Sequence, residues 1–185
     1  MYRLVPHAGL PLYFSSWKEF RAYCKVMADC KIIASFKDIY WDIRPRPDLG
    51  TIEFRVCDVP RTITETLRLV ALIRCLTLSD LRLLEERPQV LRGDVRHHWI
   101  AVENKWLATR YGLQAAYIRT PSGKRGALAH DLAELIEQLL PIAREVGDER
   151  YLAQLNPWTK SKRDPIGSEN ATERKEIGKP SWMTW

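Results

Sequence analysis

A chain of 185 residues, 45% apolar and 28% charged, is long enough to bury a hydrophobic core as one domain. Its formal charge of +6 is scattered among acids, which argues against a nucleic-acid-binding block but leaves room for a few arginines converging on a small anion. Arg3, His7 and Lys18 stand where a signal peptide would need apolar residues, and Arg68 and Arg74 interrupt the most apolar stretch, so neither a leader nor a membrane span is expected and a cytoplasmic location is.

The opening residues, through Phe14, read as a loop punctuated by proline and glycine. Ser16 and Glu19 have the spacing of a capping box and predict a helix to about Asp29, with Phe20, Tyr23, Cys24 and Met27 as its apolar stripe. Residues 38–44 then alternate, with Tyr40, Asp42 and Arg44 on one face, until Pro45 and Pro47 end the strand. A turn at Asp48-Leu49-Gly50 leads to a second strand over 51–58, whose polar face carries Thr51, Glu53, Arg55 and Cys57. The short connection makes the two an antiparallel hairpin. Thr62 and Glu65 form a second capping box, opening a helix to about Glu86 that is apolar round most of its circumference and expected to be largely buried. A third helix is predicted over about 94–111, closed by Gly112, with Trp99, Val102, Trp106 and Leu107 on its buried side. An extended piece over 115–119, a Pro-Ser-Gly-Lys loop and a fourth helix over about 126–146 complete the domain. From Asn156 onward aliphatic residues are few, and a divergent, disordered tail is expected over 156–185, beyond a domain of residues 1–155. The four cysteines (Cys24, Cys30, Cys57 and Cys75) contain no CxxC pair and read as reduced, mostly buried thiols without zinc.

The chemistry concentrates in residues 42–58. Strand alternation puts Asp42 and Arg44 on one face of the first strand and Glu53 and Arg55 on one face of the second, with Arg46 in reach from the turn. A carboxylate such as Glu53 suits Mg²⁺, and guanidinium forks suit carboxylates or phosphates. A solvated strand face laced with ion pairs has the same spacing, and from spacing alone it is the commoner reading. The run Glu103 to Leu113 offers Asn104, Lys105 and Arg110, but Arg110 lies off the face of Asn104, so helical spacing does not gather them. His97 and His98 diverge on a helix, and Lys124 lacks the strand–loop–helix context of a phosphate loop.

Trp41 to Asp58 (WDIRPRPDLGTIEFRVCD) resembles the most recognisable segment of the type 2 glutamate–cysteine ligases, a family of ATP-dependent carboxylate–amine ligases. Residues 9–20, 60–76 and 103–113 resemble three further family segments in the same order, so the likeness covers about residues 6–146. It implies an α+β fold, part of a glutamine synthetase-like catalytic domain, with an antiparallel sheet and helices packed on one side. It also implies joining of glutamate to an amine such as cysteine, with ATP and Mg²⁺ as cofactors. By resemblance, Glu53 is a metal ligand and Arg55 and Arg44 hold carboxylate and phosphate, with Asp42 orienting Arg44 or a metal-bound water. Arg46, Asn104 and Arg110 belong to substrate or nucleotide binding. Full-length family members are about twice as long, so this chain corresponds to their C-terminal half. The expected partners are therefore the small-molecule substrates and either a separate N-terminal half or a second copy; a membrane and nucleic acid are not expected. An inactive remnant, or a binding module without turnover, is the alternative.

Overall fold

The structure is a computed structural model that describes residues 8–87 and 95–156. The predicted tail, from residue 157, and the opening residues 1–7, His7 among them, lie outside the described residues. Helix α1 (Trp17–Asp29) begins as its sequence dictates, with Ser16 Oγ accepting from the Glu19 amide at 3.2 Å. The return bond slips by one residue, since Glu19 Oε2 accepts from the Ser15 amide and hydroxyl at 2.7 and 2.8 Å. The segment read as an opening loop contributes a short strand, β1 (Ala8–Gly9), paired in parallel with β2 (Tyr40–Trp41). Phe20, Cys24, Ile33, Ile39 and Trp41 bury one core here, edged by Phe14, Tyr23, Met27 and Phe36. Most of its aromatic rings meet edge-on or tilted, as Phe14 and Phe20 do at 5.5 Å between centroids, while Phe20 and Phe36 stack at 6.1 Å.

A bend at Asp42 separates β2 from β3 (Ile43–Arg46), which pairs antiparallel with β4 (Thr51–Phe54). The hairpin is as expected, but its limits differ. β3 runs through Pro45, because a two-stranded ladder has an open edge where a missing N–H costs no bond. β4 stops at Phe54, the partner of Ile43, and Cys57 stands exposed beyond the ladder. Gly50, at φ +63°, closes the turn in the left-handed region that glycine enters without strain.

Thr62 and Glu65 complete a reciprocal capping box for α2 (Ile63–Glu86). Only one side of α2 is covered. Ala71 and Cys75 are buried against Ile136, Leu139, Ile142 and Ala143 of α4 (Leu128–Glu145), together with Leu152 and Leu155. The expectation of a largely buried helix is corrected here: Ile63 is 80% exposed and Val70 50%. The uncovered side meets Phe54 of the hairpin in an apolar groove of about 580 Å³, lined also by Ile73, Thr77, Leu78 and Val146. Among its described side chains α3 (Val95–Tyr111) likewise buries only Leu107 fully and leaves Trp99 exposed, contrary to the predicted buried side. Gly112 follows at φ +55°, then β5 (Ala116–Ile118), whose partner β6 (Arg125–Ala127) was not foreseen. A final short helix, α5 (Glu149–Leu152), continues in a 3-10 turn, and Asn156 belongs to that helical end. Instead of one antiparallel sheet, the described residues form three two-stranded ladders among helices, an α+β arrangement. Cys24 and Cys75 are buried, their thiols pushed up by that burial, but Cys30 and Cys57 are exposed, so half the cysteines depart from the buried reading.

Candidate active site

Ladder register places Arg44 directly opposite Glu53 and Arg46 opposite Thr51, so the polar face of the hairpin carries both arginines and the glutamate. Arg44 is buried, 5% exposed, and gives Glu53 Oε2 two bonds, from Nε at 3.0 Å and Nη2 at 2.5 Å. Its Nη1 donates to the carbonyls of Lys37 and Ile39 at 2.9 and 3.0 Å, fixing the guanidinium under the chain that leads into β2. Arg46 Nη1 donates to the other glutamate oxygen, Oε1, at 2.6 Å, and its Nε and Nη2 grip Asp48 at 2.9 and 2.7 Å. Arg55 stands further off. Its Nη1 is 3.9 Å from Glu53 Oε2, and its guanidinium lies over the Tyr40 ring at 5.5 Å. Arg44 above all holds the Glu53 carboxyl below its ordinary range, with Arg46 adding to it. Arg46 likewise holds the Asp48 carboxyl down at about 2.

Of the two roles expected for Asp42, orienting Arg44 is not what the side chain does. Its Oδ2 accepts from Lys105 Nζ of α3 at 2.5 Å. Its backbone joins the two ladders, with its N–H on the Gly9 carbonyl at 2.7 Å and its carbonyl accepting the Arg55 N–H at 2.6 Å. Asn104 is not brought to the arginine cluster. Its amide exchanges two 2.8 Å bonds with the backbone of Ile118 and so pins β5 to α3. Arg110 also lies apart, exposed, over the rings of Trp106 and Tyr111. The structure thus gathers Asp42, Arg44, Arg46, Glu53 and Arg55, and adds Lys105, which the sequence offered with Asn104 and Arg110 but not as a neighbour of the hairpin. A lysine beside a helix-borne asparagine gave no signal of that contact without knowledge of what the helix faces.

Arg44, Arg46, Arg55 and Lys105 meet three carboxylates, those of Asp42, Asp48 and Glu53, so the patch holds one cation in excess. Such a surface suits a carboxylate or phosphate ligand. Another group of possible ligands for a cation, His130, Asp131 and Glu134 on α4, is less suited to one, because Arg119 and Tyr117 already occupy the Asp131 carboxylate. No helix among the described residues is long and apolar enough to cross a membrane.

An α+β chain with an arginine-rich hairpin around a single glutamate is, in chemical terms, a candidate anion-binding protein. The sequence model of the Glutamate-cysteine ligase family 2 (GCS2) matches residues 1–173, and the chain belongs to that family. The match runs past the four segments that carry the resemblance and past Asn156. A protein of Leifsonia xyli subsp. xyli named "Putative glutamate--cysteine ligase 2" is 38% identical over 158 residues, covering 84% of this chain and 40% of the relative. Similarly named proteins of Legionella pneumophila (strain Lens) and Mycobacterium sp. (strain KMS) are 36% and 40% identical, over 84% and 79% of this chain and 39% and 38% of theirs. The chain spans about two fifths of the length of these relatives.

Proposed function

We propose that this chain supplies the arginine-rich part of an ATP-dependent carboxylate–amine ligase site, one that joins glutamate to an amine such as cysteine and releases ADP and phosphate. Family membership supports the reaction class, and the single observation that carries the assignment to this hairpin is the excess of cations gathered round Glu53. Arg44 has four of its five N–H donors engaged, so its part is to hold Glu53 in place rather than to meet substrate. Arg55 makes no hydrogen bond through its guanidinium among the described contacts and is the cation open to a carboxylate or phosphate. Arg46 closes the turn side of the same face. Asn104 and Arg110 enter this reading as second-line contributors: Asn104 sets the position of β5 and Arg110 offers a free-standing guanidinium at the end of α3.

The residues fit the two cofactors unequally. Open guanidinium and ammonium donors suit the phosphates of ATP. Glu53 has both oxygens engaged by arginine and belongs to no group of three ligating side chains among the described residues, so it fits Mg²⁺ as one oxygen donor and not as a complete site. Mg²⁺, when bound, would neutralise phosphate charge as the γ-phosphoryl group passes to the substrate carboxylate. The cationic face holds the carboxylate and phosphate oxygens in register and stabilises charge that grows on them, a task for which fixed cations need no reorganisation. Measuring ADP release with glutamate, cysteine, ATP and Mg²⁺ tests the reading, using this chain alone and co-expressed with the remaining portion of a family member. Turnover that Glu53→Gln lowers by about a hundredfold or more is the expected result. A folded preparation that never turns over with either arrangement rejects it in favour of a chain without catalysis.

A further inference from the structure

Lys105 stands beside the site and has donors to spare. Asn104 and Lys105 are consecutive on α3, so their side chains leave the helix about 100° apart and reach different neighbours. Asn104 takes the backbone of β5, whereas Lys105 crosses to Asp42, 63 positions away in sequence. Asp42 therefore holds two cationic residues at once, the ammonium of Lys105 by its carboxylate and the main chain of Arg55 by its carbonyl. Arg44 and Arg46 are consumed by Glu53, Asp48 and two backbone carbonyls. Lys105 is not. An ammonium has three donors, and among the described residues Asp42 is its one bonded partner. The side chains of Lys105 and Arg55 are 39% and 33% exposed, open enough to meet a ligand.

We infer that Lys105 is a phosphate-binding residue of this site, acting together with Arg55, with Asp42 as the counter-ion that positions it. The inference rests on the ligase reading and adds to it a residue from a separate element. A tetrahedral phosphate accepts donors from several directions, which a lysine from a helix and an arginine from the hairpin supply. A planar carboxylate is served by a single guanidinium fork. Asp42 keeps the flexible lysine stem extended toward the hairpin when no ligand is present, reducing the ordering needed on binding.

Calorimetric titration of the full chain with inorganic tripolyphosphate tests this. Lys25→Met serves as the control for loss of one charge, because Lys25 is exposed on α1 and its ion-pair partner among the described residues is Asp29. The expected result is that Lys105→Met weakens binding about tenfold more than Lys25→Met does. Lys105→Arg should keep most of the affinity, and Asp42→Asn should lose a few-fold by releasing the lysine. Equal affinities for Lys105→Met and Lys25→Met, with the wild type binding, overturn the inference and leave the ligase reading standing. A wild-type chain that binds no tripolyphosphate removes the phosphate site of the ligase reading and this inference with it. Circular dichroism confirms folding, and if Lys105→Met does not fold, Lys105→Gln against Lys25→Gln decides by the same comparison.

Discussion

Two hairpins in this chain each centre on one carboxylate, and they are put together on opposite principles. In β3–β4, Glu53 sits between Arg44 and Arg46 with Arg55 nearby, and the patch keeps more cations than it can neutralise. In β5–β6, Asp131 at the start of α4 takes Arg119 Nε at 2.6 Å and the Tyr117 hydroxyl at 2.5 Å, and Gly126 lies against both charged groups. That second cluster is closed. Its guanidinium and carboxylate are matched, and its hydroxyl is held protonated by the bond to Asp131, which pushes the Tyr117 pKa up. The difference teaches that a dense ion-pair cluster does not by itself mark a site. Spare donors and unmatched charge around the carboxylate itself mark one, and the Glu53 cluster has them.

The comparison breaks hardest at Arg44. Replacing it with Met leaves Glu53 without its main partner and takes the donor from two carbonyls, the part-buried one of Lys37 and the buried one of Ile39. Removing one member of a buried ion pair is costly, and we expect a loss of about 3 kcal/mol in urea unfolding. A loss below about 1 kcal/mol would show that the guanidinium is not the keystone of the hairpin. The closed hairpin should answer to a different change. A Cβ at Gly126 would lie 2.7 Å from Asp131 Oδ2 and closer still to Arg119 Nε, so Gly126→Val must push the pair apart. The expected cost is about 1 kcal/mol or less by the same measurement, because the atoms in the way end flexible side chains, with no effect on tripolyphosphate affinity. A change in that affinity would mean that the two hairpins are coupled.

Much of this was legible along the chain because local rules decided it. Ser16 and Thr62 began their helices as capping residues do, and period-two alternation with a Gly50 turn gave the hairpin that sets Arg44 against Glu53. The misses were long-range. Nothing local says that Ala8–Gly9 will find Tyr40–Trp41, or that Asp42 will be met by a lysine 63 residues on instead of by Arg44. α2 misled because apolar residues round a helix report what it can bury, not what is there to cover it. Val70 and Ile63 remain exposed for that reason. Asn104 was expected among the substrate- or nucleotide-binding residues, and its amide is occupied by the backbone of Ile118.

Acid separates the two hairpins less sharply, but in a way the signs define. The carboxyls of Glu53 and Asp131 both lie below their ordinary values in the folded chain, held there chiefly by Arg44 and Arg119 respectively. A carboxyl with a depressed folded pKa contributes stability that is present above its unfolded value and lost as pH falls through its folded one. Stability should therefore fall from about pH 4.5 downward. Glu53→Gln and Asp131→Asn should each flatten part of that slope in thermal melts taken at stepped pH. Only Glu53→Gln should also change phosphate affinity, and if Asp131→Asn does so as well, the distinction between open and closed clusters fails.

The smallest effect belongs to Asp48, and its smallness is itself informative. Its carboxyl is gripped by Arg46 and held at about 2, yet the side chain is half exposed. Its contribution is complete above the unfolded value near 3.8 and fades as pH falls toward 2, so any loss of melting temperature in Asp48→Asn should be largest above about pH 4 and vanish toward pH 2. Near neutrality an exposed pair of this kind is weak, and about 1 M salt should erase what remains of it. The same variant frees two donors of Arg46 on the turn side of the cationic face. Tripolyphosphate affinity should therefore rise slightly as stability stays level. A fall in affinity would place Asp48 among the groups that hold Arg46 in its binding position, and would make the turn part of the site rather than its border.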